Sequence, residues 1–72
     1  MTVKEFRKEC GWKQDEFAEI LQTSQASISR LEVANRDVSV LSIDDLKLIA
    51  AYGGMSLEEV FEMMGVSVYE KI

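Results

Sequence analysis

A short stretch near the middle of the chain concentrates side chains that can hydrogen-bond to the edges of nucleic-acid bases. A glutamine amide can pair with adenine and an arginine guanidinium with guanine, while small side chains let a helix approach the floor of the major groove. The residues concerned are Gln25, Ala26, Ser27, Ser29 and Arg30. By themselves they are more typical of an ordinary solvated helix face, so their meaning depends on the elements that carry them.

The segment around these residues predicts two short helices joined by a tight turn. The first begins near Gln14 and carries apolar residues as far as Leu21. After a turn, Ser24 is placed to cap a second helix over residues 25–34. A helix-turn-helix has this form, since its first helix crosses the phosphate backbone and its second enters the major groove. Many small helical bundles contain a similar pair, so the pattern alone is a weak indication of DNA binding.

Capping residues and glycines divide the rest of the chain into three further helices. N-cap side chains stand at Thr2, Ser42 and Ser56, and glycines follow where these helices should end, at Gly11, Gly53-Gly54 and Gly65. No segment requires a strand, and no repeat or linker is present. We therefore expect a compact all-α domain of five helices over residues 1–65, followed by a short tail over residues 66–72.

The composition excludes several classes of protein. The 72 residues include no histidine, no proline and a single cysteine, Cys10. An intrachain disulfide, a zinc finger and a histidine-based catalytic triad are therefore ruled out. No apolar run reaches the roughly 18 residues of a membrane span. We expect neither an enzyme nor a bound cofactor, metal, membrane or small-molecule substrate, and we expect Cys10 to be a buried core residue.

The formal net charge of −5 argues against nucleic acid, whose binding depends on neutralising phosphates. The distribution of that charge weakens the objection. Residues 1–36 carry equal numbers of basic and acidic side chains, so the whole deficit lies in residues 37–72. A cationic face built from Lys13, Arg30 and Arg36 is compatible with this distribution. Because that face is sparse, it predicts a shallow salt dependence, with a slope of about −3 per protomer.

The stretch from Lys13 to Glu32 closely resembles the helix-turn-helix of the lambda-repressor-like, or XRE/Cro-type, family. In that family a glutamine opens the second helix, an alanine follows on its buried face, and the recognition helix reads roughly S-Q-x-x-I-S-x-L-E. The matching residues are Gln14, Ala18, Ser24, Gln25, Ile28, Ser29, Leu31 and Glu32. The resemblance extends over about residues 2–65 and implies the five-helix lambda-repressor-like fold.

The resemblance implies DNA contacts for particular residues. Gln25 would reach a base edge such as that of adenine, Ala26 would touch a thymine methyl group or make room, and Arg30 would bind guanine or a phosphate. Ser29 belongs to the same face. Contacts with the phosphate backbone would come from Lys13, Gln14, Ser27, Asn35 and Arg36.

The resemblance also pairs Arg7 with Glu32, as an ion pair between the first helix and the end of the recognition helix. Its expected role is orientation more than stability.

The sequence departs from the family's pattern around the two short helices. Gln22 replaces the usual glycine of the turn, where a left-handed backbone would be strained. Ala34 replaces a glycine that often follows the recognition helix, and Val38 stands where proline is common. Lys13 replaces the usual serine or threonine N-cap, which costs about 1 kcal/mol of capping but places a cation near the phosphate path.

Two functions follow from the resemblance and the charge. The first is a sequence-specific DNA-binding transcriptional repressor of bacterial or phage origin, acting in the host cytoplasm as a homodimer on double-stranded operator DNA. The fifth helix and the tail would supply its interface, through Met63, Val66, Val68, Tyr69 and Ile72. A tail packed back on its own core is an equal alternative. The second function is that of a small phage anti-repressor, which would bind a partner repressor through this fold and its acidic surface.

Overall fold

Each of the five α-helices within residues 1–65 begins after a residue with extended backbone, and side-chain caps explain where four of them start. The computed structural model describes residues 1–65. Its helices are α1 (Val3–Cys10), α2 (Gln14–Ile20), α3 (Gln25–Val33), α4 (Ile43–Gly53) and α5 (Leu57–Met63), with a short 3-10 helix (Val38–Val40) between α3 and α4. Within the described residues the predicted five-helix, all-α architecture is confirmed.

The caps repeat one pattern. The hydroxyl groups of Thr2, Ser24, Ser42 and Ser56 each accept a hydrogen bond from the backbone N–H three residues further on, at 3.1–3.2 Å. The exception is α2, where Lys13 supplies no side-chain cap. The N–H of Lys13 instead donates to Oε1 of Glu16 at 3.4 Å, so only half of a capping box is present at this helix.

Two residues other than glycine adopt a left-handed backbone. Gln22, in the turn between α2 and α3, has φ 56°, so the strain expected there is present. After α3 the left-handed conformation falls not on Ala34, which has φ −79°, but on the next residue, Asn35, with φ 51°. Asparagine tolerates this region because its short side chain can hydrogen-bond locally. The missing glycine after α3 therefore costs little.

The core forms where all five helices meet. Its completely buried side chains are Val3, Phe6, Phe17, Ile28, Ile49 and Val60. The ring of Phe17 lies between those of Phe6 and Trp12, with centroids 6.5 and 5.9 Å away. Cys10 is half-buried against this core rather than fully enclosed, and burial raises the pKa of its thiol to about 11. The thiol is therefore neutral near pH 7 and acts as a packing group.

The chain before α1 is tied to the loop after α3. The N–H of Val3 donates to the carbonyl of Arg36 at 2.9 Å, and the N–H of Val38 donates to the carbonyl of Met1 at 3.1 Å. The second bond explains why valine suits position 38, where the family often has proline, since proline has no N–H to donate. No helix within residues 1–65 is long and apolar enough to cross a membrane.

Candidate nucleic-acid interface

The residues of helix α3 differ in how far they are exposed to solvent. Gln25, Ala26 and Arg30 are exposed, Ser29 is half-buried, and Ile28 is completely buried against the core. Residues four apart lie on the same side of an α-helix, so Ala26 and Arg30 form one outward stripe. An α-helix, about 10–12 Å across with its side chains, fits within the major groove, which is about 12 Å wide.

The exposed stripe ends in an apolar side chain. Val33 lies one turn beyond Arg30 and is 80% exposed. It contributes almost nothing to the core, and sequence reasoning assigned it no role.

The N-terminal turn of α3 already uses its hydroxyl groups within the protein. Ser27 donates its N–H to the hydroxyl of Ser24 at 3.1 Å, and the two hydroxyl oxygens lie 3.0 Å apart. A hydroxyl can donate one hydrogen bond and accept two. When the hydroxyl of Ser24 is the donor of this bond, the single hydroxyl proton of Ser27 is free for a phosphate oxygen.

Two glutamines link α2 to α3. Gln25 donates its amide nitrogen to Oε1 of Gln14 at 3.4 Å, and Gln14 donates its own amide nitrogen to Oε1 of Glu32 at 3.0 Å. Each amide nitrogen carries two protons, so both retain an N–H for a further partner. The side chains predicted to contact a phosphate (Gln14) and a base (Gln25) are therefore already oriented by their hydrogen bond to one another.

Glu32 anchors this chain of bonds to α1. Its carboxylate accepts two hydrogen bonds from Arg7, Nε to Oε2 at 2.7 Å and Nη2 to Oε1 at 3.0 Å. Arg7 also donates Nη1 to the carbonyl of Trp12 at 2.8 Å. The hydrogen bond from Arg7 holds the pKa of Glu32 below its usual value, with a smaller effect from Gln14, and Glu32 in turn raises the pKa of Arg7.

The ion pair expected between Arg7 and Glu32 is enclosed by the protein. The side chain of Glu32 is only 4% exposed and that of Arg7 only 11%. Glu32 is the one buried charged side chain within residues 1–65. Breaking a buried pair leaves an uncompensated charge and is strongly destabilising. The family resemblance predicted the pairing of these two residues, which lie 25 positions apart, but not the burial of the pair.

A second long-range contact lies at the start of α2 and was missed by sequence reasoning. The hydroxyl of Tyr52, in the last turn of α4, donates to Oε2 of Glu16 at 2.7 Å. The hydrogen bond to Glu16, together with its charge, raises the pKa of Tyr52. The only local signal was that Tyr52 falls outside the apolar stripe of α4, which includes Leu46 and Ile49.

The charges near the recognition helix are mixed. The three predicted cations, Lys13, Arg30 and Arg36, are all exposed. The helix α2 itself carries only acidic charges, however, at Asp15, Glu16 and Glu19. Within residues 13–33 the two cations are therefore outnumbered by three carboxylates, even with Glu32 neutralised by Arg7. Few phosphates can be neutralised by such a surface.

The remaining predicted site residues fall into three groups. Asn35 is exposed, but its left-handed backbone already gives it a structural role at the end of α3. Met63 is half-buried against the core. The other predicted interface residues, Val66, Val68, Tyr69 and Ile72, lie outside the described residues. No group of three or more acidic or cysteine side chains within residues 1–65 could hold a metal ion.

One comparison with known proteins bears on this arrangement. A family model described as helix-turn-helix matches residues 3–60, which include α2, α3 and the turn between them. No curated protein and no solved structure matches the chain.

Proposed function

The chain belongs to the XRE and lambda-repressor type of helix-turn-helix family, and from that premise we propose that it binds a specific DNA operator and represses transcription. The family is one of DNA-binding transcription regulators. Sequence specificity, the repressing sense of regulation and an origin in a bacterium or phage are the parts that we propose.

The exposed face of α3 is the observation that carries this proposal. Ile28 and Glu32 hold one face of α3 on the protein, which leaves Ala26 and Arg30 turned outward, and Gln25 is exposed at the N-terminal end of the helix beside Gln14. Gln25 would hydrogen-bond adenine N6 and N7, and Arg30 would bind guanine O6 and N7 or a phosphate. Ala26 would contact a thymine methyl group, and Ser29 would add a contact from the same face.

Backbone contacts would fix the register of α3 in the groove. Lys13 and Gln14 lie at the start of α2, the helix that crosses the backbone in this motif, and Ser27 lies at the start of α3. Arg36 and Asn35 follow the recognition helix and would reach the next phosphates. With so few cations, the logarithm of affinity should fall with the logarithm of salt concentration by only about 3 per protomer.

We propose a homodimer as the DNA-binding form, which would read two half-sites about 34 Å apart. The support lies on α5, where Leu57, Phe61 and Met63 are only partly covered by the core. A second copy would cover the rest of these side chains. The tail over residues 66–72 follows α5 in the sequence, and we propose that it adds to this interface.

A second candidate function is favoured by the acidic charge of α2. An anti-repressor would cover the basic DNA-reading face of a partner repressor, and a surface rich in carboxylates suits that partner. Asp15 and Glu19 are exposed beside the very elements that would otherwise approach phosphates. The acidic half over residues 37–72 adds to this complementarity.

A gel-shift experiment separates the two candidates. The protein alone is titrated onto its own promoter DNA at low and at moderate salt, and the titration is repeated with an Arg30→Ala variant. Retention of DNA that is weakened by the substitution supports the repressor. If the native protein retains no upstream fragment even at low salt, and instead releases a neighbouring repressor from its DNA, the anti-repressor is the better account.

A further inference from the structure

An exposed tyrosine at the end of α4 makes a directed contact with the start of α2. Tyr52 is 56% exposed, yet its ring is held edge-on against Trp12, with centroids 5.5 Å apart and an interplanar angle of 83°. Trp12 in turn stacks on the buried Phe17. The ring is therefore fixed from one side by the core, and the hydroxyl is aimed at the carboxylate of Glu16, 2.7 Å away.

Glu16 uses its two oxygens for two different elements. Oε2 accepts the hydroxyl of Tyr52, and Oε1 accepts the backbone N–H of Lys13 at 3.4 Å. A local bond in the same turn has the N–H of Glu16 donating to Oδ1 of Asp15 at 2.9 Å. The bond from Lys13 to Glu16 holds the N-cap residue, whose own side chain does not cap the helix. One carboxylate thus bridges the last turn of α4 and the first turn of α2.

We infer that Tyr52 is a positioning residue for DNA binding, which acts through Glu16 to hold Lys13 and Gln14 in place at the start of α2. This inference rests on the proposed function, in which these two residues meet the phosphate backbone. The start of α2 needs this support because it lacks the hydroxyl cap that the other helices have. A first turn that frays would misplace both phosphate contacts and loosen the pair formed by Gln14 and Gln25.

A purely structural role makes a different prediction. Packing of the ring on Trp12 would be retained by phenylalanine, and an exposed hydrogen bond contributes little to global stability. The substitution Tyr52→Phe therefore removes the bond to Glu16 while leaving the ring in place. If Tyr52 acts only by packing, this variant binds DNA like the native protein.

The test is a double-mutant cycle on DNA affinity. We expect Tyr52→Phe to weaken binding about threefold to tenfold, the range set by one hydrogen bond, and to make the salt slope shallower by up to about one per protomer through the loss of Lys13. In a Glu16→Ala background the same substitution should have no further effect. Glu19→Ala is the matched control, since it removes an exposed carboxylate of α2 that makes no bond to Tyr52; here Tyr52→Phe should keep its full effect.

Hydrogen exchange on the free protein tests, without DNA, whether the bond between Tyr52 and Glu16 stabilises the start of α2. We expect the amides of Lys13 and Phe17, at the first turn of α2, to exchange several times faster in Tyr52→Phe, while amides of α5 are unchanged. Equal exchange rates, an affinity loss below twofold, or a loss that persists in the Glu16→Ala background would each overturn the inference. If Tyr52→Phe exchanges faster but the native protein retains no DNA, Tyr52 and Glu16 do stabilise the start of α2, and the proposed function is rejected instead.

Discussion

Arg7 and Glu32 form a two-point ion pair that is almost closed off from solvent, with Nε and Oε2 2.7 Å apart. The pair joins α1 to the end of the recognition helix. The same carboxylate also receives the amide of Gln14, so α1, α2 and α3 meet at one side chain. This contact therefore contributes both to the stability of the fold and to the orientation of the DNA-facing helix.

Removing the carboxylate should be costly. We expect Glu32→Ala to lower the free energy of unfolding by about 3 kcal/mol, because the guanidinium of Arg7 stays buried without its partner. Urea denaturation followed by circular dichroism measures the change. Glu9→Ala is the control, since Glu9 is exposed on α1, and its effect should stay within about 0.5 kcal/mol. Equal midpoints for the two variants would contradict a buried, stabilising pair.

The same ion pair should make the free energy of unfolding depend on pH. The pKa of Glu32 is lowered from its ordinary value of 4.5, first by the hydrogen bond from Arg7. The folded state therefore binds this proton less readily than the unfolded state, and the pair stabilises the protein fully above about pH 4.5. That stability is lost as the pH falls through the lowered pKa. Thermal melting between pH 7 and pH 2.5 should show a steeper acid loss in the native protein than in Glu32→Gln, which has no proton to gain.

The turn of the helix-turn-helix should be stabilised by glycine. Gln22 has φ 56°, a conformation that costs an ordinary L-residue roughly 1–2 kcal/mol. Gln22→Gly should remove this strain and, after the entropic penalty of glycine, raise the free energy of unfolding by about 0.5–1 kcal/mol. Asn35→Gly, at φ 51°, is the matched control and should gain less, because asparagine tolerates this region. A loss of stability in Gln22→Gly would show that no strain is stored there.

The single thiol should react slowly in the folded protein. Burial raises the pKa of Cys10 from 9.0 to about 11, and the thiolate is the reactive form. At pH 8 the thiolate population should be about a hundredfold lower than in unfolded chain. Reaction with a chromogenic disulfide in buffer and in denaturant measures both rates. Similar rates in the two conditions would mean that the thiol is not shielded by the core.

Arg30 should carry more of the DNA affinity than a cation elsewhere on the surface. If Arg30 contacts guanine, Arg30→Ala should weaken operator binding about tenfold or more and relax specificity at one base pair. Lys47→Ala serves as the control, because Lys47 is exposed on α4 and has no proposed DNA contact. Titration of operator variants with both proteins gives the comparison. A specificity profile unchanged by Arg30→Ala would leave Arg30 as a phosphate contact only.

Local sequence determined where the helices begin and the general form of the site. The hydroxyl caps at Thr2, Ser24, Ser42 and Ser56 act over three residues, so they can be read directly from the chain. The exposed polar face of α3 follows from helical periodicity in the same way, because buried Ile28 sets its orientation. The family pattern in residues 13–32 reflects these short-range requirements, and the helix-turn-helix was predictable for that reason.

The family pattern paired Arg7 with Glu32, but only the tertiary structure decided the burial of that pair and the other long-range contacts. The burial of Glu32 depends on Arg7, 25 positions away, and the bridge at Glu16 depends on Tyr52, 36 positions away. Neither pairing leaves a periodic trace, because each needs two helices to pack at a particular angle before the side chains can meet. The left-handed backbone of Asn35 was likewise not predicted from the sequence, and it begins the loop that is tied to the first residues of the chain. Where a helix starts depends on backbone conformation and capping within a few residues. Whether a charged side chain is buried depends on how helices distant in the sequence pack together.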